Sequence, residues 1–349
     1  MPVLHIANTF FENELEEDLY TLDQALHKNS VILQLQFLPL LYAEKEDGVL
    51  VTDYPEKEYI EQLEKEGFTK LPCMCLLKDV KFPFQKLESW GASNLIDAWG
   101  RVHHLTYEKP PWEVVKEVNS KAFSFTHAPK LPNAALLSNL EELEEWLSKP
   151  FSPKVLKSCY GVSGRGHFFS HDKSLKQFAE KEFKKGLPVI GEPWMTRILD
   201  FSTQWKIDEG SISYLGLSIC ENNPRGMYRG NIVDNSSSLP EPFQPFFDEH
   251  LFVARKMLRK IAALKYFGNV GIDAFLFKNG EKIELHPITE INARKTMGWV
   301  LLKIREKYFQ HGKIGYHFSK ATSSHSLLPP HLKVGRKKMT FAHQLEFIR

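Results

Sequence analysis

Short apolar runs alternate with amphipathic segments in the first hundred or so residues. PVLHIA, SVILQLQFL, GVLVT and LPCMCLL are apolar runs of strand length, whereas EYIEQLEKEG and SNLIDAWGR have the spacing of amphipathic helices. This mixture predicts a small α/β domain over residues 1–108. The segment contains no GxGxxG motif, so it lacks the dinucleotide-binding fingerprint.

The double proline of YEKPPWEVV marks the next boundary and opens a second zone, residues 109–200. The zone begins with a helix and continues with NLEELEEWLSK, an amphipathic helix in which Leu143 and Trp146 share a face. A strand that ends in KVLKS precedes a glycine-rich loop. The helix KSLKQFAEKEFKKG, ended by Gly186, and the strand LPVIGEPWM complete the zone.

The third zone, residues 201–320, begins with two predicted strands, STQWKI and SISYLGLSIC. A helix is predicted over residues 248–267, with its end at Gly268. The pair Asn279-Gly280 lies between the strands VGIDAFLF and EKIEL and predicts a hairpin turn. The remaining residues, 321–349, form a polar and basic tail.

Composition limits the classes of function that the chain can have. Its 349 residues are 42% hydrophobic and 25% charged, which excludes an intrinsically disordered chain. Lys and Arg number 45 against 43 for Asp and Glu, so the formal net charge is +2. This balance lacks the basic excess of proteins that bind nucleic acids or membrane surfaces, and we expect small-molecule partners. A homodimer is the default expectation for the oligomeric state.

The expected compartment is the cytoplasm. Four cysteines are too few and too irregularly spaced for a disulfide framework, which is typical of a reducing compartment. The first residues lack the basic and apolar regions of a signal peptide, and no apolar stretch approaches the length of a membrane span.

The stretch KVLKSCYGVSGRGH combines a lysine at a strand end with a glycine-rich loop. Lys157 ends the apolar strand, and Gly161, Gly164 and Gly166 follow within ten residues. Glycine lets a ligand approach the backbone closely, so the pattern indicates a loop that binds phosphate. The alternative for Lys157 is a surface lysine whose stem lies along apolar neighbours.

Acidic and amide side chains near the predicted hairpin indicate a metal site. Alternation places Asp273 on one face with Phe275, and Glu290, Asn292 and Arg294 share a face if TEINARKTMG is extended. Carboxylate and amide oxygens suit Mg²⁺, and a guanidinium suits a developing oxyanion or a substrate carboxylate. The alternative is an exposed strand that carries charged residues.

The order of these parts resembles the ATP-grasp superfamily, which includes D-alanyl-D-alanine ligase, biotin carboxylase and glutathione synthetase. The resemblance covers roughly residues 115–300, and EINAR is its most specific motif. It implies an α/β (α+β) protein with an ATP-grasp fold and an N-terminal Rossmann-like domain that precedes it. It also implies ATP and Mg²⁺ (or Mn²⁺) as cofactors.

Carried over residue by residue, the resemblance implies an ATP site and a metal site. The implied ATP contacts are Lys121, Lys157, Gly161, Ser163, Gly164, Glu192, the backbone around Trp194 and Met195, and Asp200. The implied metal ligands are Asp273, Glu290 and Asn292, and Arg294 is the implied catalytic residue. Simpler interpretations remain for Lys121, which lies among other lysines, for Glu192 as a strand-end carboxylate, and for Asp200 as a cap.

The sequence departs from the family pattern after the hairpin turn. Gly280 and Glu290 are ten residues apart, whereas the family usually reaches its glutamate in about six. Pro287 cannot donate to a strand ladder and therefore predicts a bulge or a longer connection. Glu284 consequently remains an alternative to Glu290 as the second acidic ligand.

The resemblance implies an ATP- and Mg²⁺-dependent ligase that activates a substrate carboxylate as an acylphosphate and joins it to an amine or a thiol. Two alternatives keep the fold: a regulatory module that binds ATP and docks a partner through its basic tail, and a phosphotransferase. Substrate specificity is expected from loops such as residues 222–240, where Arg229 is a candidate pocket residue.

Overall fold

The computed structural model describes residues 1–17, 21–79, 83–161, 166–310, 312–319, 327–329, 331–334, 337–340 and 344–348. The described chain divides by residue contacts into two compact units. Unit 1 comprises Met1–Trp112, Arg229–Asn235 and Arg294–Arg349, and unit 2 comprises Glu113–Tyr228 and Ser236–Ala293. Each unit thus combines segments that lie far apart in the sequence. The boundaries predicted after residues 108, 200 and 320 remain predictions.

The helices and strands are numbered in chain order. Residues 1–111 contain β1 (Val3–Ile6), α1 (Phe11–Glu16), α2 (Leu22–Leu26), α3 (Ser30–Leu35), α4 (Pro39–Tyr42), β2 (Gly48–Val51), α5 (Lys57–Lys65), β3 (Cys73–Leu76), β4 (Lys86–Ser89) and α6 (Asn94–Val102). Residues 112–222 contain α7 (Trp112–Asn119), α8 (Lys121–His127), β5 (Ala135–Leu137), α9 (Leu140–Ser148), β6 (Lys154–Ser158), β7 (His167–Phe169), α10 (Leu175–Lys184), β8 (Val189–Pro193), β9 (Thr196–Asp208) and β10 (Ser211–Asn222). The remaining elements are β11 (Tyr228–Val233), α11 (Gln244–Ala263), β12 (Gly268–Asn279), β13 (Lys282–Asn292), α12 (Met297–Tyr308), β14 (Ile314–Ser319), β15 (His331–Val334), β16 (Lys337–Thr340) and β17 (Gln344–Ile348).

Unit 1 contains a parallel sheet in the order β3-β2-β1-β4, flanked by helices. Leu4 of β1 lies opposite Gly48 of β2 on one side and Leu87 of β4 on the other. Leu4 is fully buried, as expected for a parallel sheet covered on both faces. The α/β character predicted for the N-terminal zone is confirmed, and the strand order is that of a Rossmann-like half.

The first six residues of SVILQLQFL form helix α3, although the apolar run is of strand length. Asn29 caps α3 by accepting a 2.9 Å hydrogen bond from the backbone N–H of Ile32. Gln36, just after the helix, is buried and accepts a 2.7 Å hydrogen bond from the backbone N–H of Thr52. The periodicity of a short apolar run does not distinguish a strand from a buried helix. Here the Asn29 cap favours the helix.

The first sheet of unit 2 has the strand order β5-β8-β6-β7, with antiparallel pairing throughout. Helices α9 and α10 bury their apolar faces against it. Leu143 and Trp146 of α9 pack in one cluster with Leu156 of β6 and Val189 of β8. The amphipathic helix predicted for this segment is therefore confirmed, and its apolar face holds β6 and β8 in place.

The second sheet of unit 2 is antiparallel and includes strands in the order β13-β12-β9-β10. Helix α11 packs on one face of it, with Phe247 in a cluster that includes Ala274 and Leu276. The predicted bounds of this helix, 248–267, are wrong at both ends. Pro245 favours an earlier start in the first turn, and Lys265, with φ 72°, ends the helix before Gly268.

In unit 1, β14 pairs with both β11 and β17 in antiparallel fashion. The close pairing of Gly230 with His317 leaves no room for a side chain, because a Cβ at Gly230 would lie 2.2 Å from the Tyr316 carbonyl oxygen.

Among the described helices, none combines the length and apolar character that a membrane crossing requires.

Candidate functional site

Lys157 lies near the end of β6 with its ammonium group buried. The residue is 4% exposed, and its Nζ lies 2.5 Å from Oε2 of Glu192 on the neighbouring strand β8. Burial is the largest influence and acts to raise the pKa of Glu192, but the charge of Lys157, its hydrogen bond and other positive charges nearby together outweigh burial, and the net shift is downward. Glu192 is therefore held as a carboxylate within the sheet. A buried pair of this kind is costly to break from either side.

Lys121 begins α8, where Ser120 caps the helix by accepting from the backbone N–H of Ala122. Its Nζ lies 2.8 Å from Oε1 of Glu290 and donates to the carbonyl oxygen of Gly161 at 3.3 Å. Lys121 therefore joins the first residue of the predicted glycine loop to the predicted metal ligands.

The predicted metal ligands lie together on the β12–β13 hairpin. Asp273 is the direct cross-strand partner of Glu290, and the Asn292 amide nitrogen donates to Oδ2 of Asp273 at 3.0 Å. The Oδ1 atom of Asn119 accepts from the backbone N–H of Ala293 at 2.9 Å and anchors the end of this segment. Two carboxylates and an amide are hard oxygen donors, so this set fits Mg²⁺.

A bulge in β13 sets this register. Asp273 pairs with Glu290, whereas Phe275, two residues on, pairs with His286, so β13 contains two extra residues around Pro287. The bulge predicted from Pro287 is confirmed. Glu284, the alternative ligand, lies opposite Phe277 towards the hairpin turn, where its Oε1 accepts from the Asn279 amide at 2.8 Å.

The two lysines also line one small cavity of about 20 Å³. Glu192 and His286 face the same cavity, and burial lowers the pKa of His286 to about 4, so its ring is neutral. The side chain of His286 was not singled out by the sequence. Its position next to the bulge could have been recognised only once the register of the hairpin was known.

A larger cleft of about 670 Å³ lies beside this region in unit 2. It is lined on one side by β8–β9 residues that include Trp194, Met195 and Asp200, and on the other by residues from Cys220 to Gly226. The backbone N–H of Trp194 donates to the Pro153 carbonyl at 2.8 Å, which fixes the link between β8 and β9. The structure thus places Trp194, Met195 and Asp200 along one cleft, whereas Glu192 lines the small cavity and contacts Lys157.

Arg197 is a cleft residue that the sequence reasoning missed. Its Nη1 donates to Oδ1 of Asp200 at 2.6 Å. The guanidinium carbon lies 4.7 Å from the ring centroid of Trp194 and 4.2 Å from that of Phe275, which is cation–π geometry. A positive charge is consequently held rigidly next to Asp200.

Arg294 belongs to unit 1. Its Nε lies 2.5 Å from Oε1 of Glu12, with both side chains largely buried, and its Nη1 donates to the Lys295 carbonyl. Glu12 had no signal in the sequence that marked it as a partner. Ser163 and Gly164 of the predicted glycine loop lie outside the described residues, as do residues 321–326, 330, 335–336, 341–343 and 349 of the basic tail.

The described ends of the glycine loop show why glycine is required there. Gly166 has φ 98°, and a Cβ at this position would lie 2.7 Å from the Ser158 hydroxyl. Within the described ranges, no group of three or more His, Cys, Asp or Glu side chains could hold a metal ion. The predicted ligand set is of another composition, because it includes Asn292.

Comparison with known proteins rests on structure. No protein-family model matches the sequence, and no curated protein sequence matches it significantly. The biotin carboxylase domain of Hydrogenobacter thermophilus 2-oxoglutarate carboxylase, solved with MgADP and bicarbonate, has a TM-score of 0.53 at 13% identity, covering 99% of this chain and 85% of that one. Biotin carboxylase of Campylobacter jejuni gives 0.54 at 13% identity, covering 99% and 87%.

A third similar structure is an ADP complex of N5-carboxyaminoimidazole ribonucleotide synthetase, with a TM-score of 0.50 at 12% identity over 99% of this chain and 92% of that chain. These similarities span the whole chain at low identity, so they bear on the fold. Together with the Rossmann-like sheet of unit 1 and the two antiparallel sheets of unit 2, they show that this chain has the ATP-grasp fold, as the order of its motifs implied.

Proposed function

We propose that this protein is an ATP- and Mg²⁺-dependent ligase that activates a carboxylate as an acylphosphate and joins it to an amine. The observation that carries the proposal is the contact of Lys121 with Glu290 beside Asp273 and Asn292. The similar carboxylase domain was solved with MgADP and bicarbonate, and the similar synthetase with ADP, which supports the same cofactors here.

In this proposal the 670 Å³ cleft receives the nucleoside. The backbone around Trp194 and Met195 contacts adenine, and Glu192 holds Lys157 in the small cavity. Asp200 accepts from the ribose hydroxyls. Its carboxylate is held in place by Arg197, which lowers the entropy lost when the ribose binds.

The phosphates extend from the cleft towards the two lysines. Lys157 and Lys121 supply positive charge, and the loop that includes Gly161, Ser163 and Gly164 supplies backbone N–H groups. Lys121 already neutralises a carboxylate, so phosphate binding exchanges one anionic partner for another. Little charge therefore needs to be reorganised when the nucleotide arrives.

Asp273, Glu290 and Asn292 would hold Mg²⁺, because their oxygens are the ligands that this ion prefers. When bound, Mg²⁺ neutralises phosphate charge. The cross-strand pairing of Asp273 with Glu290 holds the two carboxylates side by side without the ion. Mutual repulsion of two such groups favours a cation at this position.

The reaction has two steps. A substrate carboxylate oxygen attacks the γ-phosphorus, the bond between this phosphorus and the β–γ bridging oxygen breaks, and ADP leaves. The amine then attacks the acyl carbon, loses a proton and expels phosphate. Arg294 would stabilise the negative charge that develops on the transferring group, and positioning and electrostatics supply most of the rate gain.

The test is an incubation with ATP and Mg²⁺, with and without a pool of small acids and amines, that follows ADP and product mass together. A ligase releases ADP only with the pool and forms a mass equal to acid plus amine minus water. A product heavier by one phosphoryl group would show a phosphotransferase instead. ATP binding without ADP release, in a pool that contains the correct acids and amines, would favour a regulatory module.

A further inference from the structure

His167 opens strand β7 directly opposite Lys157 in the β6–β7 ladder. Side chains of directly paired residues lie on the same face of a sheet, about 5 Å apart at Cβ. The histidine thus shares the face on which Lys157 points towards Glu192. Nothing in the resemblance assigns a role to this residue.

The ring of His167 also borders the large cleft. Its centroid lies 6.0 Å from that of Trp194, a cleft residue, in an edge-to-face arrangement. Gly226, which lines the same cleft, packs so closely that a Cβ there would lie 3.4 Å from Nδ1 of the histidine. The imidazole therefore lies between the cleft and the lysines.

The hydrogen bonding of the ring is incomplete. Nδ1 of His167 is buried and makes no hydrogen bond with any described residue. Buried polar atoms of side chains are satisfied in the large majority of cases, so an unsatisfied ring nitrogen beside two lysines requires an explanation. An anionic ligand that the ring contacts would provide one, because an imidazole can donate to a phosphate oxygen.

The charges around His167 come from both sheets of unit 2. Burial lowers its pKa to about 3, and Lys157 and Lys121 act in the same direction, whereas Glu290 and the Arg225 backbone act in the opposite direction. The ring is therefore neutral in the absence of ligand. Phosphate groups would offset both lysines and act to raise the pKa, which favours proton uptake as they bind.

We propose that His167 contacts the phosphate chain of the bound nucleotide, between the cleft that receives the nucleoside and the lysines that receive the terminal phosphates. The proposal rests on the proposed function, since it requires a nucleoside polyphosphate in this cleft. It assigns His167 to binding, whereas a purely structural role would limit it to packing against Trp194.

The test compares His167→Gln and His167→Phe with the wild type by titration calorimetry of MgATP and of adenosine. Each titration is run in two buffers of different ionisation enthalpy, which reports protons taken up. His171→Gln is the matched control, because its side chain is 71% exposed and lies two residues beyond the end of β7. The wild type is expected to take up protons with MgATP and none with adenosine.

His167→Phe should weaken MgATP binding about tenfold and leave adenosine binding unchanged, since only a phosphate contact is lost. His167→Gln should reduce proton uptake, and His171→Gln should behave as the wild type. Equal weakening of MgATP and adenosine would show a packing role and overturn the proposal, as would unchanged MgATP affinity. If the wild type binds no nucleotide, the proposed function fails as well, so the two failures are distinguishable.

Discussion

Arg197 and Asp200 lie on the same face of β9 although they are three residues apart. Asp200 pairs with Phe275 of β12 and Arg197 pairs with Phe277, so Ile198 is an extra residue in β9. Without this bulge, alternation would place the two side chains on opposite faces. The bulge is what allows the guanidinium to hold the carboxylate that we assign to the ribose.

Replacing Arg197 by Met should weaken ATP binding about tenfold, because Asp200 loses the hydrogen bond that orients it. The matched control is Arg255→Met, which removes another guanidinium stacked on a tryptophan, 5.6 Å from the ring of Trp205. Fluorescence or calorimetric titration with ATP measures both. Equal affinities for wild type and Arg197→Met would contradict the role given to this pair.

Breaking the buried pair should destabilise unit 2 strongly. Lys157→Met leaves the buried Glu192 carboxylate without its main partner, and Glu192→Gln leaves the buried Lys157 ammonium without its carboxylate partner. Each substitution should therefore cost about 3 kcal/mol in the free energy of unfolding. The double change Lys157→Met with Glu192→Gln should cost less in the free energy of unfolding than the sum of the two single changes. Denaturant unfolding measures all three.

The control for that prediction is Lys176→Met, which removes an exposed ion pair with Glu144 and should leave stability unchanged within error. Additive effects of the two buried substitutions would show that Lys157 and Glu192 do not stabilise each other. The 2.5 Å contact would then contribute nothing to folding.

Glu290→Gln should abolish ADP release while the protein still folds. The substitution removes one of two paired carboxylates and the partner of Lys121, but the side chain is 26% exposed and its volume is kept. Glu284→Gln is the control, because that side chain lies at the far end of the hairpin and should retain turnover. ADP release at several Mg²⁺ concentrations measures both, and the reverse pattern would assign the metal to Glu284.

The stability of the protein should fall as the pH is lowered from about 6.5 to about 4.5. His250 is fully buried, and burial lowers its pKa from 6.5 to about 4. Its folded-state pKa is below its unfolded value, so the unfolded chain binds more protons in this window and stability is lost on acidification. Over these two pH units, His250 should lower the free energy of unfolding by about 2 kcal/mol.

The hydrogen bonds of His250 define the tautomer of its neutral ring. The Pro287 carbonyl only accepts, so Nδ1 carries the hydrogen at 2.8 Å, and Nε2 accepts from the Thr203 hydroxyl at 2.8 Å. His250→Gln should flatten the pH dependence relative to wild type, whereas His171→Gln, an exposed control, should not. The test is the free energy of unfolding of each protein at both pH values. An equal loss of stability on acidification in all three proteins would exclude His250 as the cause.

Much of the geometry of the proposed metal site could be predicted, because it depends on strand alternation and turn chemistry. Asn279-Gly280 predicted the hairpin, and Pro287 predicted the bulge that brings Glu290 opposite Asp273. Both are local effects: a turn that needs positive φ, and a residue without a backbone N–H. The structure places Glu290 in the position that the motif suggested, and its role as a ligand remains a proposal.

The partners of charged groups could not be predicted in the same way. The contacts of Lys157 with Glu192 and of Arg294 with Glu12 join residues that are distant in the sequence. The bulge at Ile198 has no proline or glycine to mark it. The helical state of SVILQLQFL likewise depended on a cap and on neighbours that bury its glutamines.

By itself, the sequence determined the order of the motifs, the faces of the hairpin and the amphipathic helices, because these follow from periodicity and from the backbone limits of glycine and proline. The tertiary structure alone decided which carboxylate each buried cation meets and which ring nitrogen remains unsatisfied. Such pairings depend on distances across strands and on burial, which removes the competition of water and makes each charge dependent on its neighbours.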